Sequence, residues 1–210
     1  MLFVTLEGID GAGKSTQARL LAERLRAQDC EVVLTREPGG SPGAEEIRRL
    51  LVEGAPGRWS PETEILLFTA ARRDHIERVI GPALARGAVV ICDRFIDSTR
   101  AYQGGGKLRA AVDRLHEMMI GVDPDLTLIL DMDPEASLGR SHGKAARARH
   151  REPVENRFEQ RGSAFQAEMR RGFLAIAAAE PGRCRVVDAA RPVEAVAEDI
   201  WQAVRQRLGV

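Results

Sequence analysis

The sequence LFVTLEGIDGAGKSTQ, at residues 2–17, sets the architecture expected of the whole chain. Residues 2–6 form a short apolar run of β-forming side chains, which predicts a buried strand. A glycine-rich loop follows, and residues 15–26 then have the composition of a helix. A buried strand joined by such a loop to a helix is typical of the first part of a βαβ unit, so we expect a parallel sheet.

The loop between them fits the pattern G-x-x-x-x-G-K-S from Gly8 to Ser15. Its backbone N–H groups can surround a phosphate, and the helix that follows adds the positive end of its dipole. Lys14 is expected to reach the β- and γ-phosphates of a nucleoside triphosphate, and the Ser15 hydroxyl to hold Mg²⁺. The predicted triphosphate-binding residues are Gly8, Ile9, Asp10, Gly11, Ala12, Gly13, Lys14, Ser15 and Thr16.

Length and composition indicate an ordinary globular protein. The chain has 210 residues, which suits one domain over residues 1–210 with a sizeable core. Lys plus Arg and Asp plus Glu each number 31, so there is no net charge to attract nucleic acid. The three cysteines are widely spaced beside apolar runs and are expected to be buried free thiols. There is neither a signal peptide nor an apolar run of about 18 residues, so we predict a cytoplasmic protein with no membrane association.

Strand and helix patterns alternate along the rest of the chain. This alternation predicts an α/β fold with a five-stranded parallel sheet and helices on both faces. One long helix opens at Ser60-Pro61 and is expected to end near Gly81-Pro82, or to kink at Pro82. Further strands are predicted at residues 31–35, 88–93, 126–130 and 185–187, and further helices at 43–52, 108–120, 134–140, 155–179 and 193–208.

Three aspartates are candidates for a metal site. Asp10 lies inside the glycine-rich loop, Asp93 ends the third strand and Asp131 ends the fourth. A strand end in a parallel sheet projects its side chain into the ligand crevice, whereas the same residue can also simply cap a turn. Asp131 competes with Asp93 for the role, and the neighbouring Arg94 favours Asp93.

Two arginines follow strand ends on the same side of the predicted sheet. Arg94 is the natural anchor for the phosphate of an acceptor, because its fork of donors matches phosphate oxygens. Arg36 is a second candidate. For either residue alone, a surface ion pair is the alternative to a ligand contact. Because both arginines follow strand ends at the same edge of the sheet, a ligand contact is favoured.

A basic segment covers residues 140–161, where seven Lys and Arg residues face only three Glu residues. It is either a solvated basic loop, which could bind nucleic acid, or a lid that closes over the triphosphate. The glycine-rich loop contains no arginine, which favours a source of positive charge outside the loop for the transferred phosphoryl group. We therefore favour a lid at residues of about 140–157.

Phe68 and Arg72 lie four residues apart on the long helix and so share one face. Aromatic residues make up only 4% of the chain, which makes Phe68 a candidate for contact with a nucleotide base. Spacing alone favours an ordinary core phenylalanine.

These motifs together resemble the bacterial thymidylate kinase family over nearly the full length of the chain. The glycine-rich loop by itself is shared by many activities, but its combination with the other matching segments is narrow. The matching segments are FVTLEGIDGAGKSTQ, LTREPGG, LLFTAARRDHI, CDRFIDSTRAYQGGG, PDLTLILD and ENRFE.

The resemblance implies roles for individual residues. Phe68 would stack on thymine, Arg72 would hydrogen-bond the base, and Arg94 would bind the monophosphate beside Asp93. Tyr102 would lie near the sugar, where a ribose 2′-hydroxyl is excluded. Asp10 would contribute to the metal or to the acceptor pocket. The implied dTMP-binding residues are Asp10, Arg36, Glu37, Phe68, Arg72, Arg94, Ser98, Thr99, Tyr102 and Gln103.

The implied fold is that of the P-loop nucleoside monophosphate kinases, and the implied reaction is phosphorylation of dTMP to dTDP by ATP with Mg²⁺. Family members without an arginine in the loop use lid arginines, and here Arg147, Arg149 and Arg151 are the candidates. Members are usually homodimers. A kinase for another nucleotide or deoxynucleoside, or a nucleotide-binding switch, is the alternative; no Asn-Lys-x-Asp motif of a guanine-reading switch occurs.

Overall fold

A computed structural model describes residues 1–55, 57–139 and 162–209. Within them five parallel strands form one sheet in the order β2-β3-β1-β4-β5. This confirms the predicted fold class. The strands are β1 Leu2–Glu7, β2 Val32–Arg36, β3 Val89–Asp93, β4 Leu126–Asp131 and β5 Cys184–Asp188.

Helices connect the strands and cover both faces of the sheet. Ser60 caps α3 as predicted, since its hydroxyl oxygen accepts the N–H of Thr63 at 3.2 Å and Pro61 follows at the first helical position. The helices are α1 Lys14–Arg26, α2 Pro42–Val52, α3 Pro61–His75, α4 Gly81–Ala85, α5 Ile96–Tyr102, α6 Leu108–Met119, α7 at residues 134–139, α8 Gly162–Ala179 and α9 Val193–Leu208.

The core has two layers, one on each side of the sheet. On one face, Leu21 of α1, Phe173 of α8 and Val204 of α9 pack on the strands. On the other face, Ile65 of α3 and Val112 of α6 are buried against the sheet. Burial of apolar surface on both faces stabilises the strands in the middle of the molecule, by about 25 cal/mol for each Å² removed from water.

Register places the polar strand ends along one edge. Leu6 and Arg36 both pair with Asp93, and Asp131 pairs with Asp188, in neighbouring parallel ladders. The carboxyl ends of the strands and the loops after β1, β2 and β3 therefore meet at the edge where open α/β sheets bind ligands.

Two expectations from sequence need correction, and one helix was missed. The helix from Ser60 does not end at Gly81-Pro82: a π-helical turn, Ile76–Ile80, joins α3 to α4. Because the Gly81 N–H bonds the Ile76 carbonyl five residues back, this wider turn carries the chain into α4. Helix α5 was not predicted, because polar residues interrupt its apolar spacing. Cys30 is only half-buried, whereas Cys92 and Cys184 are buried, and all three are free.

Other expectations agree or fall outside the described residues. The described part of the predicted helix at residues 155–179 is α8, and residues 155–161 are not described. No helix in the described ranges is long and apolar enough to cross a membrane.

Candidate active site

The glycine-rich loop connects β1 to α1 with a backbone that other residues would not adopt. Gly8, Gly11 and Gly13 all have positive φ angles, of 134°, 84° and 97°. A Cβ at Gly8 would approach the Leu130 carbonyl oxygen to 2.5 Å, and one at Gly11 would overlap Ser137. Glycine is therefore needed for both the backbone conformation and the space, and the loop ends at the N-terminus of α1.

Lys14 bends back over this loop. Its Nζ donates to the carbonyl oxygens of Gly8 at 3.1 Å and Ile9 at 2.8 Å. Burial, together with the positive charge of Arg94, lowers the pKa of Lys14 to about 8. The amine is held in the centre of the loop, where the negative charge of a bound phosphate would stabilise its protonated form.

Ser15 and Asp93 meet at the edge of the loop. The Ser15 hydroxyl donates to Asp93 Oδ2 at 2.5 Å. Asp131 points elsewhere, in a bidentate pair with Arg170 at 2.6 and 2.8 Å. The geometry thus separates the two strand-end aspartates that sequence left as alternatives, and it is Asp93 that lies beside Ser15.

Arg94 joins the loop to helix α5. Its backbone φ is 71°, a left-handed conformation unusual for a side chain of this size. Nη1 donates to the Gly8 carbonyl at 3.1 Å and to Ser98 Oγ at 2.9 Å, while Nη2 pairs with Asp10. Burial alone would raise the pKa of Asp10, but the charges of Arg94 and Lys14 outweigh it and hold that pKa below its ordinary value.

Glu7 supports this turn and was not identified from sequence. Its Oε1 accepts the Phe95 N–H at 2.7 Å, and its Oε2 accepts the Ser98 hydroxyl at 2.6 Å. Burial and the charge of Asp97 raise the pKa of Glu7 to about 7. The only signal was a carboxylate at the end of an otherwise apolar strand.

A cavity lies between the loop, α3 and α5; we call it the Arg72 cavity. Within it Arg72 is 2% exposed, and its Nε donates to Glu37 Oε2 at 2.7 Å. Nη2 of Arg72 donates to Thr99 Oγ1 at 3.0 Å. The predicted residues that line this cavity are Asp10, Glu37, Phe68, Arg72, Arg94, Ser98, Thr99, Tyr102 and Gln103.

Arg36 is the predicted acceptor residue that does not line this cavity. It pairs with Glu45 at 3.1 Å, its side chain is 53% exposed, and it lies in a neighbouring depression with Ser15 and Asp93. A sheet edge does bring both arginines close to the loop, but β2 directs Arg36 toward the side of Ser15.

Sequence reasoning also missed several lining residues. Pro38, Arg48, Val52 and Phe95 line the Arg72 cavity, and nothing in their spacing distinguishes them from structural residues. Gln166 of α8 is buried, and its carbonyl oxygen has no hydrogen-bond partner in the described ranges. It lies next to Asp10, where its amide helps to lower the pKa of that carboxyl.

The oxygen donors at the loop fit Mg²⁺. Mg²⁺ is usually held by one or two protein oxygens, with water and substrate phosphates completing its shell. The Ser15 hydroxyl and the Asp93 carboxylate supply such a pair. No cluster of three or more His, Cys, Asp or Glu side chains suited to a metal occurs in residues 1–55, 57–139 and 162–209. Asp10 is already engaged by Arg94.

The predicted lid falls in residues 140–161, so Arg147, Arg149 and Arg151 lie outside the described residues.

Comparison with known proteins gives one consistent result. The family model described as thymidylate kinase matches residues 6–200. The thymidylate kinase of Ruegeria pomeroyi is 61% identical over 99% of this chain and 96% of its own. That of Caulobacter vibrioides is 54% identical over 99% and 98%. A crystal structure of the thymidylate kinase from Ehrlichia chaffeensis matches with a TM-score of 0.75 at 36% identity, covering 97% of this chain and 98% of that one.

Proposed function

The chain belongs to the thymidylate kinase family, and from that premise we propose that it transfers the γ-phosphoryl group of ATP to dTMP, giving dTDP. The enzyme is a nucleoside monophosphate kinase. We further propose that residues 1–210 act as one cytoplasmic domain. Alternative roles, as a kinase for other nucleotides or as a switch, are not favoured.

One observation carries the proposal: Arg94 bridges the glycine-rich loop and the Arg72 cavity. Its guanidinium contacts Gly8 and Asp10 of the loop and Ser98 of the cavity wall. A phosphate in the loop and a monophosphate in the cavity would therefore approach the same positive charge from two sides. In-line transfer between two phosphates needs this proximity.

The cavity has the donors and acceptors that thymine requires. Gln103 is buried, its amide nitrogen donates to Glu64 at 3.2 Å, and its Oε1 has no partner in the described ranges. We propose that this oxygen accepts the N3–H of thymine while Arg72 donates to O4 and Phe68 stacks on the ring. Cytosine presents the opposite pattern, an unprotonated N3 and an amino group, and would leave Gln103 and Arg72 unsatisfied.

The sugar would lie between Asp10 and α5. Tyr102 donates to Asp10 Oδ2 at 3.3 Å, and both residues line the cavity. We propose that Tyr102 leaves no room for a ribose 2′-hydroxyl, while Ser98 and Thr99 border the nucleoside. Asp10 belongs to this acceptor side because Arg94 already occupies its carboxylate. Glu37 acts through Arg72.

Ser15 and Asp93 are the residues we propose to hold Mg²⁺, which would supply charge neutralisation for the triphosphate. The chain itself contributes the loop amides, Lys14 and Arg94, so its catalysis consists of positioning and electrostatic stabilisation. Arg147, Arg149 and Arg151 are proposed to add positive charge from a lid at about 140–157. Arg36 is proposed to border the entrance beside Ser15 rather than to contact dTMP.

We further propose a homodimer formed through α3 and α6. Leu66 of α3 and Met118 and Met119 of α6 are exposed apolar residues, and Arg73 ties the two helices together through the Met119 carbonyl at 2.8 Å. Exposed apolar side chains on adjoining helices are typical of an interface. Light scattering should give twice the monomer mass, and Leu66→Glu should shift the mass toward monomer.

A coupled assay of ADP release, with dTDP identified by chromatography, tests the activity. With ATP and Mg²⁺, dTMP is expected to be used at least about 100-fold more efficiently than dCMP, dGMP or dAMP, in line with discrimination by unpaired polar groups. Equal use of the four monophosphates, or ADP without dTDP, would end the assignment. Salt-dependent DNA binding without kinase activity would favour the nucleic-acid alternative for the basic segment.

A further inference from the structure

A chain of buried hydrogen bonds runs from Arg72 away from the cavity. Glu37 accepts from Arg72 with Oε2 at 2.7 Å, and its other oxygen, Oε1, is 3.2 Å from His75 Nδ1. The opposite ring nitrogen, Nε2 of His75, lies 2.7 Å from Thr35 Oγ1. His75 is 0% exposed, and Thr35 at the end of this series is partly buried.

The arrangement is more than a means of burying an ion pair. Arg72 and Glu37 already neutralise each other, and Arg72 also has Thr99 as a partner. Without His75, however, one Glu37 oxygen would be buried with no donor, and the carboxylate could rotate about its own bond. His75 lies three residues after Arg72 on the same face of α3, so it reaches the far side of the same carboxylate.

The loop after β2 is shaped around this contact. Gly40 has a φ of 88° and passes directly over the His75 ring. A Cβ at Gly40 would overlap His75 and come within 2.5 Å of Thr35 Oγ1. The strand that carries Thr35, the loop that carries Glu37 and the helix that carries Arg72 therefore converge at His75.

We propose that His75 and Thr35 are positioning residues for base selection, acting through Glu37 on Arg72. In the neutral ring, Nδ1–H donates to Glu37 and Nε2 accepts the Thr35 hydroxyl proton, which fixes both the tautomer and the plane of the ring. Glu37 then fixes the Nε edge of Arg72, and Thr99 fixes Nη2. With Nε and Nη2 held in this way, Nη1 is the nitrogen that we propose to donate to the base. This inference rests on the proposed dTMP site.

Neither residue lines the Arg72 cavity, so each should affect dTMP only through Glu37. Thr35 also borders the depression that contains Ser15 and Asp93, whereas His75 does not, so His75 is the variant that separates acceptor selection from use of ATP. Losing the His75 contact should raise the KM for dTMP about tenfold, since a buried carboxylate oxygen is left unsatisfied. The kcat with saturating dTMP and the KM for ATP should change less than about threefold, and the preference for dTMP over dCMP should fall.

The test uses His75→Leu in the unmodified and the Arg72→Gln backgrounds, with Thr35→Val and Thr35→Ser as a matched pair. If His75 acts through Arg72, His75→Leu should raise the KM for dTMP in the first background but by less than about twofold in the second. Thr35→Val should raise the KM for dTMP by part of the amount seen in His75→Leu. Thr35→Ser, which keeps the hydroxyl, should leave the KM for dTMP near that of the unmodified protein.

Equal effects of His75→Leu in both backgrounds would overturn the proposal. So would an unchanged KM for dTMP in Thr35→Val, or a parallel rise in the KM for ATP in His75→Leu, because these are the results of a merely structural role. If His75→Leu does not fold, the Thr35 pair decides. The unmodified protein is assayed in the same series, and its failure to use dTMP would count against the proposed function. A normal rate in the unmodified protein, with an unchanged KM for dTMP in the variants, would count only against the positioning role of His75 and Thr35.

Discussion

The two halves of the active site are built in different ways. The loop from Gly8 to Ser15 is contiguous in sequence, and it presents mainly backbone groups, with Lys14 held on its own carbonyls. The Arg72 cavity is built from side chains of the first loop, the loop after β2, α2, α3 and α5, several of them joined by ion pairs and hydrogen bonds. The half that binds ATP, the phosphoryl donor, thus depends on local backbone conformation. The half that binds the phosphoryl acceptor depends on the packing of distant segments.

This difference leads us to expect different failures on mutation. A change in the loop should reduce turnover whatever the acceptor, because every acceptor needs the same triphosphate. A change in the cavity should reduce the use of one acceptor and leave ATP binding intact. Arg94, which contacts both halves, should be intermediate.

The largest effect is expected for Lys14→Ala. Removing the lysine of the glycine-rich loop should lower kcat about 1,000-fold with dTMP or any other acceptor, while the circular dichroism spectrum stays unchanged. Steady-state kinetics measure the effect. Lys107→Ala, which removes an exposed lysine before α6, is the control and should behave like the unmodified protein. Turnover within a few-fold of normal in Lys14→Ala would show that the loop has been misinterpreted.

Arg94→Ala should come next and should damage the acceptor more than the donor. Truncating a buried, hydrogen-bonded charge costs about 2–5 kcal/mol, so kcat/KM for dTMP should fall about 100-fold or more. Arg94→Lys should not recover it, because lysine lacks the two-pronged guanidinium. Arg19→Ala, at an exposed pair with Glu23, serves as the surface control. An unchanged kcat/KM in Arg94→Ala would remove Arg94 from the site.

The same contrast explains how much could be predicted from sequence. The loop was predicted residue by residue because a contiguous motif carries its own geometry. Spacing singled out Arg72, but its role and the choice of Glu37 came only from the resemblance, since their pairing spans 35 residues and no local pattern records it. Helix α5, Glu7 and Gln166 were missed because tertiary contacts, and not periodicity, define them. Asp93 and Asp131 could be separated only when the partner of each was known.

Phe68→Ala should produce a smaller change, confined to the acceptor. Stacking of a base on an aromatic side chain contributes about 1–3 kcal/mol, so the KM for dTMP should rise about tenfold with the KM for ATP unchanged. Phe68→Tyr keeps the ring and is the matched control. Equal KM values for dTMP in Phe68→Ala and the unmodified protein would show that Phe68 is an ordinary core residue and does not stack on the base.

The smallest expected effect is the uptake of protons by Lys14 when a triphosphate binds. Lys14 has a pKa of about 8 without ligand, and a bound triphosphate should raise it, so binding at pH 8 should take up about half a proton. Uptake should approach zero near pH 6.5, where Lys14 is already charged, and affinity should fall as the pH rises above 8. Calorimetry of a non-hydrolysable ATP analogue in buffers of different ionisation enthalpy measures the uptake. Lys14→Met should abolish it, and uptake that persists in this variant would assign the proton to another group.

Selection of thymine by the Arg72 cavity is what most sharply separates the two halves of the site. The most direct test is the ratio of kcat/KM for dTMP to kcat/KM for dCMP, measured on the unmodified protein and on Arg72→Gln. The ratio should exceed about 100 in the unmodified protein and should fall at least tenfold in the variant, because the donor to O4 is lost. A ratio near one in the unmodified protein, or the same high ratio in both proteins, would contradict the account.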